Sequence, residues 1–364
     1  MRTLRMVGVM TVAVSVGLML CAGLGAQELK VELLTSFEPG QKGVDADGEV
    51  VKEYATQGEH ALKMENHGQG YTGIKITDRA VLAKFKDYVL LKVDVFNPRK
   101  NRLESGGETL VVRGNHSATL LRDGTILIVG GMTETVTYRD GTLHEERRFL
   151  KSIELYDPRT KSSRLLKASL QMPRQGQSAT LFDDGSVLII GGTWEARTEI
   201  IDPAGETVKW GPPLNIDRAD QRTTRLADGR LLITGGTASN LKTLDTAEIF
   251  DPAANRFTML AARMNHKRED HTADLLSDGR VLITGGEDNK AGPDGSDIIL
   301  DDVEIFDPKT ETFAKLAPLS VKRDDLRSTV LPDDVVLVTG GQDTEESGLR
   351  SAEFVIAPAR GELP

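Results

Sequence analysis

The stretch from Arg268 to Pro308 decides the fold. It reads REDHTADLLSDGRVLITGG, then a polar loop, then VEIFDP. Two short apolar runs flank Asp278-Gly279, a pair that supplies the positive φ needed by a two-residue hairpin turn. The second run ends on Gly285-Gly286, and the third ends on Asp-Pro, a combination that favours a turn. The stretch therefore predicts three consecutive antiparallel strands.

The chain repeats this unit five times, with about 50 residues per unit. An Asp-Gly turn, replaced by Asp-Asp in the last unit, precedes each apolar strand, and a Glu-containing strand that ends near a proline follows each polar loop. A fourth short strand closes each unit except the last. Four strands per unit of this length predict the blades of a β-propeller. The glycine pairs that mark the units are Gly130-Gly131, Gly191-Gly192, Gly235-Gly236, Gly285-Gly286 and Gly340-Gly341.

The glycine pair after an apolar strand, the Glu-x-Tyr/Phe-Asp-Pro run and an arginine shortly before the next unit resemble the kelch repeat. The resemblance implies an all-β, kelch-like β-propeller with five recognisable blades. Because an open ring exposes strand edges, we expect the strand Glu108 to Arg113 to pair with the C-terminal blade and close the ring. Kelch propellers more often have six or seven blades, so the N-terminal part is an alternative source of one more.

Residues 1–26 predict a secretory signal peptide: Arg2 and Arg5 precede an uncharged apolar run and a small-residue exit. We therefore expect a periplasmic or secreted protein without a membrane span. Cys21, the only cysteine, lies in this segment, so the mature chain is expected to contain none. Kelch-type copper-radical oxidases need a cysteine cross-linked to a tyrosine, which excludes that activity. The net charge of −10 argues against a nucleic-acid partner, and we expect a monomer.

Residues 27–107 predict a β-rich module, and residues 108–364 form the predicted propeller. The runs PheGluProGly at 37–40 and LeuLysValAspValPheAsnPro at 91–98 resemble the first half of jelly-roll modules on secreted bacterial carbohydrate-active proteins. This resemblance implies a small β-sandwich-like accessory module. Its second half is missing.

A second regularity supplies the candidate binding residues. An arginine lies 17 residues before each glycine pair, and a His or Gln follows three residues later in four units. These positions fall in the connections between blades. The connections open on the side that also carries the loops between second and third strands, which we call the loop face. A ring of arginines there would bind carboxylates, phosphates or sulfates, or would pair with nearby acids and carbonyls to hold the blades together. The candidates are Arg113, Arg174, Arg218, Arg268, Arg323, His116, Gln177, Gln221 and His271, with Trp194 as an aromatic platform.

Other residues that recur at a fixed position in each repeat are interpreted as structural. The Glu of each third strand needs a partner if it is buried, and a backbone or arginine partner is expected. His116 and His271 either bond locally or share a metal ion between blades. The acidic loop from Glu287 to Asp302 offers oxygen ligands for calcium, although its spacing fits no EF-hand-type loop. We expect no cofactor and assign no metal ligand or catalytic residue.

Two functions follow from these features. The first is an exported module that binds a glycan or an extracellular or periplasmic protein through its arginine-rich loop face. The second, implied by the kelch resemblance, is a periplasmic sugar-processing enzyme, a mutarotase or lyase acting on acidic sugars at the same face. An enzyme would need an acid and a base that converge there, and no pair is marked out by spacing.

Overall fold

A computed structural model describes residues 14–20, 27–33, 62–66, 72–76, 92–97, 102–139, 142–202, 204–289, 292, 295–343 and 348–360. Their regular structure is β-strand, apart from one 3-10 turn at Pro332–Asp334. No helix within these ranges has the length and apolar character needed to cross a bilayer. The chain divides into two compact units, residues 1–112 with 134–147, and residues 113–133 with 148–364.

The first unit contains antiparallel strand pairs. Most of residues 1–26 and much of 27–107 lie outside the described residues, so the signal peptide and the half jelly roll remain predictions. The pairs are β1 (Val14–Leu20) with β2 (Gln27–Leu33), β3 (Leu62–Asn66) with β4 (Thr72–Ile76), and β5 (Lys92–Asn97) with β6 (Arg102–Glu108).

Five antiparallel sheets correspond to the five predicted blades, and they lie in the second unit apart from residues 134–147 of blade 1. Blade 1 has β7 (Ser117–Leu120), β8 (Ile126–Val129), β10 (Thr142–Asp157) and β11 (Ser162–Arg174), with β9 (Met132–Arg139) paired to β10. Blade 2 has β12 (Ser178–Leu181), β13 (Val187–Ile190), β14 (Glu199–Ile201) and β15 (Val208–Trp210). Blade 3 has β16 (Arg222–Arg225), β17 (Leu231–Thr234), β18 (Thr246–Asp251) and β19 (Arg256–Arg263). Blade 4 has β20 (Thr272–Leu275), β21 (Val281–Thr284), β24 (Val303–Asp307) and β25 (Thr312–Lys315), with a ribbon of β22 (Glu287–Asp288) and β23 (Ile298–Ile299). Blade 5 has β26 (Arg327–Val330), β27 (Val335–Thr339) and β28 (Ala352–Ile356).

The core lies between the blades rather than inside one layer. Each pair of consecutive blades shares one apolar cluster. Between blades 3 and 4, for example, Ile249 and Met264 pack with Val281, Ile283 and Phe306. Blades 2 to 4 have a neighbouring blade on each side, so their second strands are buried on both faces. This burial explains why these strands are continuous apolar runs without alternation.

The glycine pairs allow the chain to pass close to the neighbouring connection. Gly236 has φ near +91°, and a Cβ there would lie 2.5 Å from the carbonyl oxygen of Ala219 and 2.9 Å from the Cβ of Gln221. Only glycine combines a positive φ with such an approach. The repeated pair is therefore a device of the scaffold.

The predicted closing strand is not formed. β6 pairs with β5, and among the described residues β28 pairs only with β27. Arg113 turns into blade 1 instead of extending a strand, because its side chain is bound there. The chain after β28 returns to blade 4, where Arg360 contacts Asp307 at 2.8 Å. Phe354 on β28 is accordingly 65% exposed.

Candidate functional site

The five arginines that lie 17 residues before the glycine pairs, which we call the arginine column, are buried within the scaffold. Each Nη1 donates a hydrogen bond to the carbonyl of the first glycine of its own pair, at 2.6–2.9 Å. Each guanidinium also lies 2.7–3.2 Å from the Glu on the third strand of the same blade. The partner of the arginines is therefore the Glu column. The ion pairs are Arg113–Glu154, Arg174–Glu199, Arg218–Glu248, Arg268–Glu304 and Arg323–Glu353.

In blades 2 to 5, the Glu of the pair also accepts backbone hydrogen bonds from the chain that leaves the preceding blade. Glu248 accepts hydrogen bonds from the backbone N–H groups of Asn215 and Ile216, at 2.9 and 3.2 Å. Glu304 accepts one from Asn265 in the same way, at 2.9 Å. A carboxylate with an arginine and backbone donors can be buried without an unmet charge. The arginine column thus joins consecutive blades, and we do not retain it as a set of ligand contacts.

The His and Gln column has the same structural character. Gln177 and Gln221 donate from Nε2 to the carbonyls of Val129 and Ile190 in the preceding blade, at 2.6 and 2.8 Å. His271 is fully buried, and its Nε2 lies 2.8 Å from Thr234 Oγ1. Burial, reinforced by two nearby arginines, holds the pKa of His271 well below its ordinary value, so the ring is neutral.

Among the residues that the structure describes, His116 and His271 do not form the shared metal site that was one alternative for them. His116 is exposed and belongs to blade 1, whereas His271 belongs to blade 4, with two blades between them. Within the ranges that the structure describes, no three or more His, Cys, Asp or Glu side chains are grouped as metal ligands. Residues 290, 291, 293 and 294 of the acidic loop are outside those ranges, so calcium binding there stays an alternative to the expected absence of a cofactor.

A cluster of acidic residues lies in the connections between blades, beside the column arginines. The residues two positions after the column arginines lie next to each other in consecutive blades. Gly176 N–H donates to the carbonyl of Asn115, Asp220 to Gly176, and Asp270 to Asp220, at 2.8–3.2 Å. In the last three blades this position is an aspartate, and the preceding position is acidic in blades 4 and 5. We call this group, completed by one residue of blade 4, the acidic mouth: Asp220, Glu269, Asp270, Glu287, Asp324 and Asp325.

The backbone places these carboxyl groups close together. Glu269 and Glu287 face each other through reciprocal N–H to carbonyl bonds of 2.9 and 3.0 Å. The Glu269 carboxylate is held by Thr237 Oγ1 at 2.5 Å and by Asn289 Nδ2 at 3.0 Å. Asp324 is buried, and its Oδ1 has no hydrogen-bond partner among the described residues. The mouth thus contains acids in fixed positions, and one of them, Asp324, has an unsatisfied oxygen.

The acids in the mouth have raised pKa values. Burial, followed by the charge of Asp324, raises the pKa of Glu287 to about 9. Burial and Asp325 raise the pKa of Asp324 to about 7, and burial and Asp270 raise that of Asp325 to about 6. Arg222, 3.5 Å from Asp270, offsets only part of this effect. At neutral pH, the Glu287 carboxyl group is therefore mostly protonated and can donate a hydrogen bond.

The sequence signal for the mouth was present but assigned differently. The acids one or two positions after the column arginines are the nearest ion-pair partners that the sequence offers. They are Asp220, Glu269, Asp270, Asp324 and Asp325. The Glu column takes that role, because it approaches the arginines from the third strand. Glu287 directly follows a glycine pair, and only the pairing with Glu269 shows that it belongs here.

Trp194 is exposed, as expected of a surface platform, and lies in the loop that follows Gly191-Gly192 in blade 2. The same loop continues through Glu195 and Arg197 to β14. It borders a groove beside Trp210, the only other tryptophan.

Comparisons with known proteins agree with this architecture. Residues 274–320 match the Kelch motif. The solved structure of YjhT superposes with a TM-score of 0.60 at 12% sequence identity, over 74% of this chain and 89% of that chain. At this identity the likeness concerns the fold alone. Together with the five sheets of the second unit, it shows that this chain has the all-β fold of a kelch-type β-propeller.

Proposed function

We propose that this protein is an exported binding module, periplasmic or secreted, that holds a glycan or a protein segment at its loop face. The predicted signal peptide supports the export. The observation that carries the binding is the acidic mouth. The arginine-rich surface expected from the sequence is replaced in this proposal by an acid-rich one.

The acidic mouth reduces the stability of the fold. Carboxyl groups whose pKa values are raised by burial and by each other weaken the fold whenever they ionise. The scaffold joins its blades through a separate Glu column, so these six acids are not needed for that role. Perturbed groups that converge at one surface are candidates for a functional site. Ionised carboxylates accept hydrogen bonds from sugar hydroxyls or from lysine and arginine, and protonated Glu287 can donate to a hydroxyl oxygen.

The test compares the purified protein with two variants, Asp324→Asn and Glu287→Gln, on an array of glycans and of lysine- and arginine-rich peptides. We expect the Asp324→Asn change to weaken binding at least tenfold. The matched control is Asp183→Asn, whose carboxylate is largely exposed at a turn away from the mouth, and it should bind like the wild type. Binding that survives both mouth substitutions, or no binding to any probe, would refute the proposal.

A second candidate function is the sugar-processing enzyme, a mutarotase or lyase on acidic sugars. It is favoured by Asp324, whose pKa of about 7 suits proton transfer near neutral pH, and by Glu287 as a nearby proton donor. Arg222 would provide a cation for a sugar carboxylate. Anomer exchange of a uronic acid measured by NMR, and ultraviolet absorbance of an unsaturated uronate product, test the two reactions. Rates no faster than in buffer, or rates unchanged in Asp324→Asn, would exclude this role.

A further inference from the structure

Blade 2 carries a groove that the acidic mouth does not include. It lies at the loop-face end of the blade, between the segment Glu195 to Arg197 and the segment Trp210 to Pro213, with a volume of about 430 Å³. Small-molecule sites commonly occupy about 300–1,000 Å³. The groove therefore has room for a ligand the size of one sugar ring and its neighbours.

The walls of the groove are fixed by the backbone. Gly211 N–H donates to the carbonyl of Thr198 at 2.9 Å, and Leu214 N–H donates to that of Ala196 at 3.0 Å. The Thr198 hydroxyl donates to the carbonyl of Pro212 at 2.6 Å. These bonds tie the loop before β14 to the segment after β15. A ligand would meet a preformed surface, which reduces the entropy lost on binding.

The groove combines an aromatic ring with a balanced pair of charges. The Arg197 guanidinium lies over one face of the Trp210 ring, 4.9 Å from its centre, and 43% of Trp210 remains exposed. Arg197 Nε is 2.9 Å from Glu195 Oε2, and both side chains are about half exposed. A surface ion pair of this kind contributes little to stability, so its donors and acceptors are available to a ligand at small cost.

This chemistry matches one class of ligand better than others. A pyranose ring has a face of C–H groups that stacks on an indole, and hydroxyls at its rim that both donate and accept hydrogen bonds. Glu195 neutralises Arg197, so the groove offers no net charge to an acidic sugar or a charged peptide. A purely apolar peptide would leave the ion pair without a role.

We propose that this groove is a subsite for an uncharged pyranose residue of a glycan, with the part of Trp210 that Arg197 leaves exposed as its platform and the Arg197–Glu195 pair binding the hydroxyls. It rests on the proposed binding function and specifies the ligand as a glycan. Trp194, the aromatic platform expected from the sequence, lies outside the residues that line the groove.

The chain has two tryptophans, which makes fluorescence a direct probe. In a Trp194→Phe variant, Trp210 is the only indole, and its emission is titrated with cellohexaose, xylohexaose and maltohexaose, with a six-residue peptide as comparison. We expect a saturable change with at least one oligosaccharide. Trp210→Ala should weaken binding of that oligosaccharide at least tenfold in calorimetry, and Trp210→Phe should weaken it less. Trp194→Ala should change it less than twofold.

The outcomes separate this inference from the proposed function. No emission change with any neutral oligosaccharide, a response to the peptide alone, or unchanged affinity in Trp210→Ala would overturn the subsite. If affinity is instead lost in Asp324→Asn and kept in Trp210→Ala, the mouth binds the ligand and the subsite does not. Thermal unfolding of Trp210→Ala at the wild-type temperature shows that a loss of affinity is not a loss of fold.

Discussion

Removal of one arginine from the blade-joining column should strongly destabilise the propeller, and Arg218→Met is the clearest case. Arg218 Nη1 donates to the carbonyls of Gly235 and Thr246 at 2.6 and 3.2 Å. Nη2 donates to Thr246 Oγ1 at 3.2 Å and to Glu248 Oε1 at 2.9 Å. Both members of the ion pair are fully buried. Methionine fills most of the space but supplies none of these donors.

The magnitude follows from the charge left behind. Breaking a buried ion pair by removing one partner costs about 3–5 kcal/mol. Glu248 keeps the donors of Asn215, so part of its charge remains solvated by the protein. We therefore expect the free energy of unfolding to fall by about 3–4 kcal/mol. That is a large share of the ~5–15 kcal/mol typical of folded domains.

Urea unfolding followed by circular dichroism measures this loss. The control is Arg263→Met in the same blade, whose guanidinium contacts Asp245 at 2.6 Å with side-chain exposures of 60% and 32%. It should cost less than about 1 kcal/mol. The double variant Arg218→Met with Glu248→Met should recover part of the loss, because no uncompensated charge remains. A cost for Arg218→Met no larger than that of the control would refute the role assigned to the column.

Three further predictions concern other parts of the second unit. The pKa of Glu287 is about 9 in the folded protein against an ordinary value of 4.5, so the folded state binds more protons between these values and its stability falls as pH rises through this range. Glu287→Gln should therefore raise the free energy of unfolding at pH 8 by about 1–3 kcal/mol and leave it unchanged near pH 4. Urea unfolding midpoints at the two pH values would show the difference. Gly236→Ala should lower the free energy of unfolding by about 2–4 kcal/mol, because the added Cβ would clash with the neighbouring chain. Gly279→Ala has open space around the added Cβ and should cost about 1 kcal/mol. Equal losses of thermal stability in the two variants would contradict the close-approach argument. Ile305→Ala, at a position 1% exposed, should lower the free energy of unfolding by about 2–4 kcal/mol. Phe354→Ala, at the equivalent position of blade 5, should cost less than about 1 kcal/mol. Similar unfolding midpoints for the two variants would mean that Phe354 is buried in solution.

The repeat was readable without coordinates because its signals are local. The Asp-Gly turn at Asp278-Gly279, the glycine pair at Gly285-Gly286 and the apolar run between them each act over a few residues. The strands β20, β21 and β24 lie where these signals placed them. The predicted partner of the last blade was wrong, since closure requires a long-range pairing that no local pattern of Glu108 to Arg113 encodes.

The periodic positions of the arginines could be counted in the sequence, but their surroundings could not. Whether Arg268 faces a ligand or Glu304 depends on how the third strand approaches the connection between blades, and this distance exists only after the sheets pack. The same packing brings Asp270, Glu287 and Asp324 together from separate segments and raises their pKa values. Local chemistry therefore determined the blades, whereas burial and proximity across blades determined which charged residues serve the scaffold and which remain for function.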